Sequence, residues 1–523
     1  MVDQPHSSTA RHASLVAAGI LLSRLIGLVR QRIFSHYFGL SDAADAFNAA
    51  FRIPNFLQNL FGEGVLSASF IPVYARLLAE GDEEEAGRVA GAVGSILALA
   101  ASALVLAGMV ATPWLIDLIA PGFHGAKREL TIRIVRVLFP GAGLLVLSAW
   151  CLGILNSHRK FFLSYTAPVV WNVAMIAALV AFRHQSQAAL AVTLAWGSVV
   201  GSALQFGVQL PVVLRLAGRL RASLDTAAPH VREVIRNFGP VFISRGVVQI
   251  SAFVDALLAS LLGTGAVAGL TNAQTLYLLP VSLFGMSVSA AELPAMSSAL
   301  GGVDEVAAQL RRRLDSGLRQ IAFFIVPSAM AFLALGGVIT AVLFQSGRFT
   351  AAHSQYVWAI LAGSAIGLLA QTLGRLYSST YYALRDTRTP LRFAIVRVIL
   401  TSGLGYLCAI PLPRWLGIDP QWGVAGLTAS AGVAGWVEFT LLRRTLNARI
   451  GRTGLPASLV AQLWFAAAVA AAAAWGAKFA LGGGHPLGFG LVVIATYGVT
   501  YFACTWLLRV EECAGLVHRL KLR

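Results

Sequence analysis

Runs of about twenty or more apolar residues, the length an α-helix needs to cross a hydrocarbon layer, follow one another from residue 14 to residue 509. Such a chain has lipid as its solvent, and lipid offers no partner for an open backbone hydrogen bond. The runs are continuously apolar rather than alternating, so they read as helices and not as barrel strands. The sequence therefore predicts an all-α polytopic membrane protein with fourteen spans: 14–39, 46–78, 88–120, 130–155, 161–182, 187–214, 237–262, 267–299, 316–345, 353–384, 391–411, 421–447, 457–481 and 487–509. Hydrophobic residues make up 57% of the chain and charged residues 12%, which excludes an ordinary soluble class.

Lys and Arg are unevenly divided between alternate loops. One set carries Arg159-Lys160, then Arg215 to Arg236, Arg311 to Arg313, Arg385 to Arg392 and Arg443 to Arg452; the other has only Lys127, Arg128, Arg183, Arg348 and Arg414. Because the rich side faces the cytoplasm, and Arg11 and Arg519 to Arg523 fall on it, both termini are expected to be cytoplasmic. The formal charge of +17 is then explained by this bias and by attraction to anionic headgroups, and nucleic acid is not an expected partner. Residues 1–13 read as an uncleaved cytoplasmic tail, since the run that follows is too long for a signal peptide and holds arginines. Cys151, Cys408, Cys504 and Cys513 have no metal-like spacing and read as packing residues, and no cofactor is implied.

The chain nearly repeats itself after about 220 to 227 residues. Ser23-Arg24 recurs as Ser244-Arg245, Gly39 as Gly263, Ala120-Pro-Gly-Phe123 as Gln345-Ser-Gly-Arg-Phe349, and the loop from Asn156 to Pro168 as that from Leu384 to Pro390. An offset of six spans predicts two six-helix lobes related by an axis along the membrane normal around a central cavity, with two helices left over. The expected domains are a tail at 1–13, a first lobe at 14–216, a basic linker at 217–236, a second lobe at 237–447, a terminal helix pair at 448–510 and a tail at 511–523.

Charges inside apolar spans point to an interior path, because an uncompensated charge in lipid costs about 2.5 to 3.5 kcal/mol on insertion scales. Asp45, Arg52, Asn59 and Glu63 share one narrow stripe of the second span, where Pro54 and Pro72 predict bends. Arg24 and Arg30 lie on the first span with Gly27 between them, and guanidinium groups are the expected ligands of a pyrophosphate. Arg245, Gln249 and Arg375 extend the basic lining into the second half, with Gln371, Tyr377 and Ser378 near Arg375 in sequence. Glu292 and Glu438 are candidate coupling carboxylates that could pair with one of these arginines. The acidic run 82–85 and the basic run 311–313 read as solvated cytoplasmic loops.

Ser23-Arg24-Leu-Ile-Gly27-Leu-Val-Arg30, then Asp45-Ala-Phe47, Phe51-Arg52-Ile-Pro54-Asn55, Glu63-Gly64 and Phe70-Ile-Pro72, resembles the MurJ/MviN family of lipid II flippases. Ala120 to Phe123, Leu155-Asn156, Ala167-Pro168 with Asn172, Gln249, Pro294 and Tyr382 through Pro390 carry the resemblance over nearly the whole chain. It implies a multidrug/oligosaccharidyl-lipid/polysaccharide exporter fold, a cationic cavity involving Arg24, Arg30, Asp45, Glu63 and Arg375, and a groove for a polyprenyl tail on the last two helices. Two departures stand out: Asn59 replaces an arginine common in the family, and Gln274, Thr275 and Leu278 replace charges expected before Pro280.

The function expected is export of lipid-linked peptidoglycan precursor (lipid II) by alternating access, with membrane lipids and the cell-wall synthesis machinery as partners, and no catalysis. Alternatives are an exporter of another polyprenyl-linked oligosaccharide or of amphipathic drugs, or a scaffold that no longer transports. A membrane glycosyltransferase is disfavoured by the lack of an Asp-x-Asp motif or paired carboxylates in a long loop.

Overall fold

The computed structural model describes residues 6–61, 63–218, 220–298, 302–482 and 486–515; at 6–18, 20, 54, 59, 63–64, 240–241, 243–252 and 303 the description is of the backbone alone. Its described elements are helical apart from one isolated two-residue bridge, Ser346 with Phe349. Eleven helices among the described residues are long and apolar enough to cross a membrane. The expected spans 14–39, 46–78 and 237–262 are helical but fall outside these eleven, so fourteen remains an expectation.

The residues group by contact into two units, 1–261 and 262–523. The first contains α1 (His6–Phe38), α2 (Asp42–Phe61), α3 (Glu63–Ser69), α4 (Ile71–Ala79), α5 (Glu83–Ile119), α6 (Gly125–Ser157), α7 (Phe161–Ala181), α8 (Gln187–Leu216) and α9 (Pro229–Ser260). The expected second span thus takes in α2, α3 and α4, with residue 62, between α2 and α3, outside the described residues. Phe70, at the start of α4, stays right-handed and keeps its bond to the Leu66 carbonyl at 2.9 Å, and the Pro72 ring fits a first helical turn because that turn has no use for its missing N–H. Pro54, by contrast, lies inside α2. The acidic run is not a loop: Asp82 caps α5, accepting from the Glu85 N–H at 3.0 Å, and Glu83 to Glu85 form the first turn, where the helix dipole favours them.

Since lipid tails are as apolar as leucine, helix association here rests on close packing and interhelical hydrogen bonds. Gly197 and Gly201 of α8 admit α7, for a Cβ at Gly197 would lie 2.6 Å from that of Ala178. Between α6 and α8, buried Ser148 donates to Gln209 Oε1 at 2.6 Å and accepts from Gln205 Nε2 at 2.9 Å. Interhelical bonds of this kind average about 0.6 kcal/mol in a membrane. At Gly122 an added Cβ would collide with the Ser260 carbonyl, which places the α5–α6 turn directly on the end of α9. The contacts of α9 with α2, α3 and α5 therefore group it with the first 261 residues.

The second unit contains α10 (Ala266–Pro280), α11 (Ser287–Ser297), α12 (Val303–Phe344), α13 (Ala351–Ala383), α14 (Arg388–Ala409), α15 (Pro411–Trp415), α16 (Gly423–Ile450), α17 (Ala457–Ala480) and α18 (Pro486–Leu507). A π-helical turn, Val281–Met286, joins α10 to α11 immediately after Pro280. Gly363 and Gly367, one turn apart on α13, accept the close approach of Thr428 and Gly432 of α16. Arg311 to Arg313, expected in a loop, lie on α12, which runs 42 residues and extends well before its apolar stretch.

Two turns, one in each unit, share a backbone conformation. Arg159 and Arg385, 226 positions apart, both adopt positive φ, at 58° and 59°, after a helix. The same hydrogen-bond pattern surrounds each: Arg159 N to Asn156 O and Lys160 N to Leu155 O in one, Arg385 N to Tyr382 O and Asp386 N to Tyr381 O in the other.

Candidate functional site

In the first unit Arg30 is half-buried where α1 meets α2 and α7. Its guanidinium carbon lies 5.1 Å from the ring centre of Trp171 and 5.7 Å from that of Phe51, and its Nη1 reaches Met175 Sδ at 3.7 Å. Phe51 stacks on Trp171 at 5.6 Å and 21°, and on Phe47 at 5.6 Å and 20°. The Trp171 indole N–H donates to the Ser198 carbonyl at 3.1 Å, so α8 fixes the ring on which Arg30 rests. Each cation–π contact is worth about 0.5 to 2 kcal/mol depending on desolvation, and the aromatic faces hold the cation without neutralising it. Among the described residues no carboxylate lies within ion-pair distance of Arg30. Arg24, two turns earlier, is exposed.

Asp45 is fully buried in the first turn of α2, where Ser41 accepts from the Ala44 N–H at 3.2 Å. Lys127 at the start of α6 reaches Asp45 at 2.7 Å and Asp42 at 2.9 Å, and its ammonium sits 4.3 Å above the Phe123 ring. This ion pair belongs to the end of the helix and is separate from the Arg30 cluster. Further along α2, half-buried Arg52 is within electrostatic reach of Asp255 on α9. The side chains of Asn59, Glu63, Arg245 and Gln249 lie outside the described residues, although all four positions are helical.

In the second unit Arg375 of α13 is exposed, and it shares an electrostatic neighbourhood with Arg397 of α14, Glu438 of α16 and Tyr277 of α10. Arg397 pairs with Glu438 at 3.3 Å, and the Tyr277 hydroxyl donates to Gln371 Oε1 at 2.8 Å. Two cations and one carboxylate leave this cluster positive. Tyr377 faces elsewhere, fully buried with its hydroxyl 3.0 Å from Thr453 Oγ1. Glu292 pairs with Arg313 of α12 at 3.5 Å. Both candidate carboxylates thus have arginine partners, but neither partner is one of the arginines singled out in the sequence.

Lys127, Asp255, Arg397 and the aromatic platform of Phe51 and Trp171 were missed by sequence reasoning. A signal existed for Arg397, a charge well inside the span 391–411, and for Asp255, the one carboxylate inside 237–262. None existed for the platform, because an aromatic residue in an apolar run carries no mark of which cation it faces.

Arginines within the length of helices long and apolar enough to cross a membrane define a multi-pass membrane protein of the transporter class. Residues 34–494 match the family model described as Lipid II flippase MurJ, and the chain belongs to that family. Among its relatives, the Lipid II flippase MurJ of Burkholderia cenocepacia is 33% identical over 447 residues, covering 84% of each chain. The Probable lipid II flippase MurJ of Bdellovibrio bacteriovorus is 34% identical over 84% of this chain and 82% of its own. A solved structure of Lipid II flippase MurJ in an inward closed conformation superposes with a TM-score of 0.78 at 22% identity, covering 95% of this chain and 99% of that one. An inward-facing multidrug resistance MATE family transporter of the MOP superfamily reaches 0.64 at 19% identity over 82% of this chain and 95% of its own, a likeness of fold. A family of this kind, with eleven apolar helices described, makes the chain a multi-pass inner-membrane protein.

Proposed function

We propose that this protein carries lipid II from the cytoplasmic to the outer leaflet by alternating access, with the pyrophosphate held by arginine side chains. The observation that carries the reading is Arg30: a guanidinium on the helix of the first expected span, supported on Phe51 and Trp171, with its charge left for an anion. Bidentate guanidinium contacts suit a phosphate better than a lysine would. Arg24, Arg52 and Arg375 join it as headgroup ligands in this reading, with Asn59, Glu63, Arg245 and Gln249 as further contacts, while Glu292 and Glu438 titrate or switch partners during the cycle. Fourteen spans, two repeated lobes and cytoplasmic termini complete the reading, as do a polyprenyl groove on the last two helices and coupling to the cell-wall synthesis machinery.

Rescue of a strain depleted of its lipid II flippase tests this reading. The wild type restores growth, Arg30→Ala inserts normally but fails, and Arg30→Lys rescues in part; full rescue by Arg30→Ala at native expression would refute the role. Orientation is tested by single cysteines, which at 217–230 should label only from the cytoplasm and at 482–484 only from outside. Arg245→Ala and Arg375→Ala should each weaken lipid II binding about 10- to 150-fold, if a charged contact contributes about 1.5 to 3 kcal/mol. Unchanged binding in both would leave α1 and α2 to hold the headgroup.

A further inference from the structure

At one end of the second unit, α12, α13, α17 and α18 enclose a cavity of about 320 Å³ with a mixed lining. Its polar side chains are Gln345, Ser354, Gln355 and Lys478, and its aromatic walls include Trp358 and Trp475. Both indoles are fixed by backbone bonds: Trp358 Nε1 donates to the Phe332 and Leu333 carbonyls at 3.1 Å each, and Trp475 Nε1 to the Ala334 carbonyl at 3.1 Å. Lys478 is half-buried, with its ammonium 4.3 Å above the Trp475 ring.

A π-face holds an ammonium without removing its charge. No carboxylate lines the cavity among the described residues. The cavity therefore carries one net positive charge, two rigid aromatic walls, and amide and hydroxyl groups able to meet further oxygens. Its volume falls at the lower end of the range for small-ligand sites, about 300 to 1,000 Å³. On the orientation expected from the loop charges, this end of the unit lies at the outer leaflet, where the available anions of suitable size are lipid phosphates.

We propose that this cavity is a binding site for the phosphate headgroup of an anionic amphiphile in the outer leaflet, with Lys478 holding the phosphate and Trp358 and Trp475 flanking the atoms next to it. The site is distinct from the Arg30 cluster, and its place at the outer leaflet rests on the orientation proposed above.

The test uses the full chain in nanodiscs of equal phosphatidylglycerol and phosphatidylcholine, with retained lipid counted by native mass spectrometry after a detergent wash. The wild type should keep phosphatidylglycerol selectively. Lys478→Gln should lower that retention about tenfold, the effect of about 1.4 kcal/mol, whereas Lys478→Arg keeps it. Gly337→Leu serves as a second variant, because Gly337 lines the cavity and a side chain there would point into it beside Gln355; it should exclude the lipid while leaving Lys478 in place. Equal retention in the wild type, Lys478→Gln and Gly337→Leu would overturn the proposal. Displacement by millimolar inorganic phosphate would also overturn it, since the site would then take a free anion. Competition by a polyprenyl pyrophosphate would support the proposal and name that lipid as the better ligand; lack of competition would assign the site to bulk phospholipid.

Discussion

Arg30 and Arg397 are both arginines inside apolar helices, and the two units hold them in different ways. In the first unit the guanidinium rests on Trp171 and Phe51. In the second it is paired with Glu438 at 3.3 Å. Aromatic faces lower the energy of a cation in lipid yet leave its field intact, whereas a carboxylate cancels the field and needs a partner exchange before the cation can hold another anion. The first arrangement suits a standing anion site, the second a switch, and the two should respond oppositely to loss of their supports.

The largest effect expected is at Arg30 itself. Removing the charge by Arg30→Ala should abolish growth rescue, whereas Phe51→Leu, which leaves the charge and removes one face, should weaken lipid II binding by about 2- to 30-fold, the equivalent of about 0.5 to 2 kcal/mol. If Phe51→Leu were as damaging as Arg30→Ala, the ring would be packing the helix and not supporting the cation.

Next comes the buried pair at the end of α2. Lys127→Ala leaves the carboxylate of Asp45 buried without its cation, which should destabilise the protein by about 3 to 5 kcal/mol. The double change Asp45→Asn with Lys127→Met removes both charges and should recover most of that loss. Thermal unfolding in a fixed detergent measures both; a double variant no more stable than Lys127→Ala would show that the pair does more than balance charge.

At Glu438 the expected effect is smaller and of opposite sign for binding. Glu438→Gln frees Arg397 without removing it, so pyrophosphate should bind about tenfold more tightly, as one added charged contact implies. Transport should slow if the pair has to re-form in each cycle. Titration calorimetry with a soluble pyrophosphate ester reads the first outcome, and unchanged affinity would mean that Arg397 does not face the ligand.

What sequence could and could not reveal follows the same division. Helices were legible because a long apolar run in lipid has few other ways to satisfy its backbone, and Arg30 was legible because its charge stands out in such a run. The π-helical turn at Val281–Met286 left no mark beyond the neighbouring Pro280, and prolines also occur within an unbroken helix, as Pro54 shows in α2. Partners were the least legible feature. Lys127 reads as a loop charge and Arg313 as part of a basic run; what makes each matter is a carboxylate brought near by tertiary packing, Asp45 across 82 residues and Glu292 across 21.

The smallest effect concerns two turns that are alike in backbone and unlike in chemistry. After α13, Asp386 accepts from the Thr389 N–H at 3.0 Å, the Thr389 hydroxyl at 2.7 Å and Arg449 at 2.7 Å, and the Thr389 bonds above all hold its carboxyl well below the usual range. At the matching turn after α6 the sequence has Lys160, and the neighbouring titratable group is His158, 2.9 Å from the Tyr74 hydroxyl, whose pKa burial lowers. For Asp386 a depressed folded pKa means stability that is present above the ordinary value of about 3.9 and lost as pH falls through the folded value. Burial disfavours the charged form of His158, so its turn is most stable above the ordinary value of about 6.5 and weakens as pH falls below it. Lowering the pH from 7.5 to 5 should therefore loosen the turn at 158–160 while the turn at 385–389 stays protected. Hydrogen exchange of the two segments measures this in one experiment. His158→Gln should flatten the first response, and Asp386→Asn should weaken the second turn at every pH above about 4. Equal exchange gains in both turns between pH 7.5 and 5 would show that neither response belongs to these side chains.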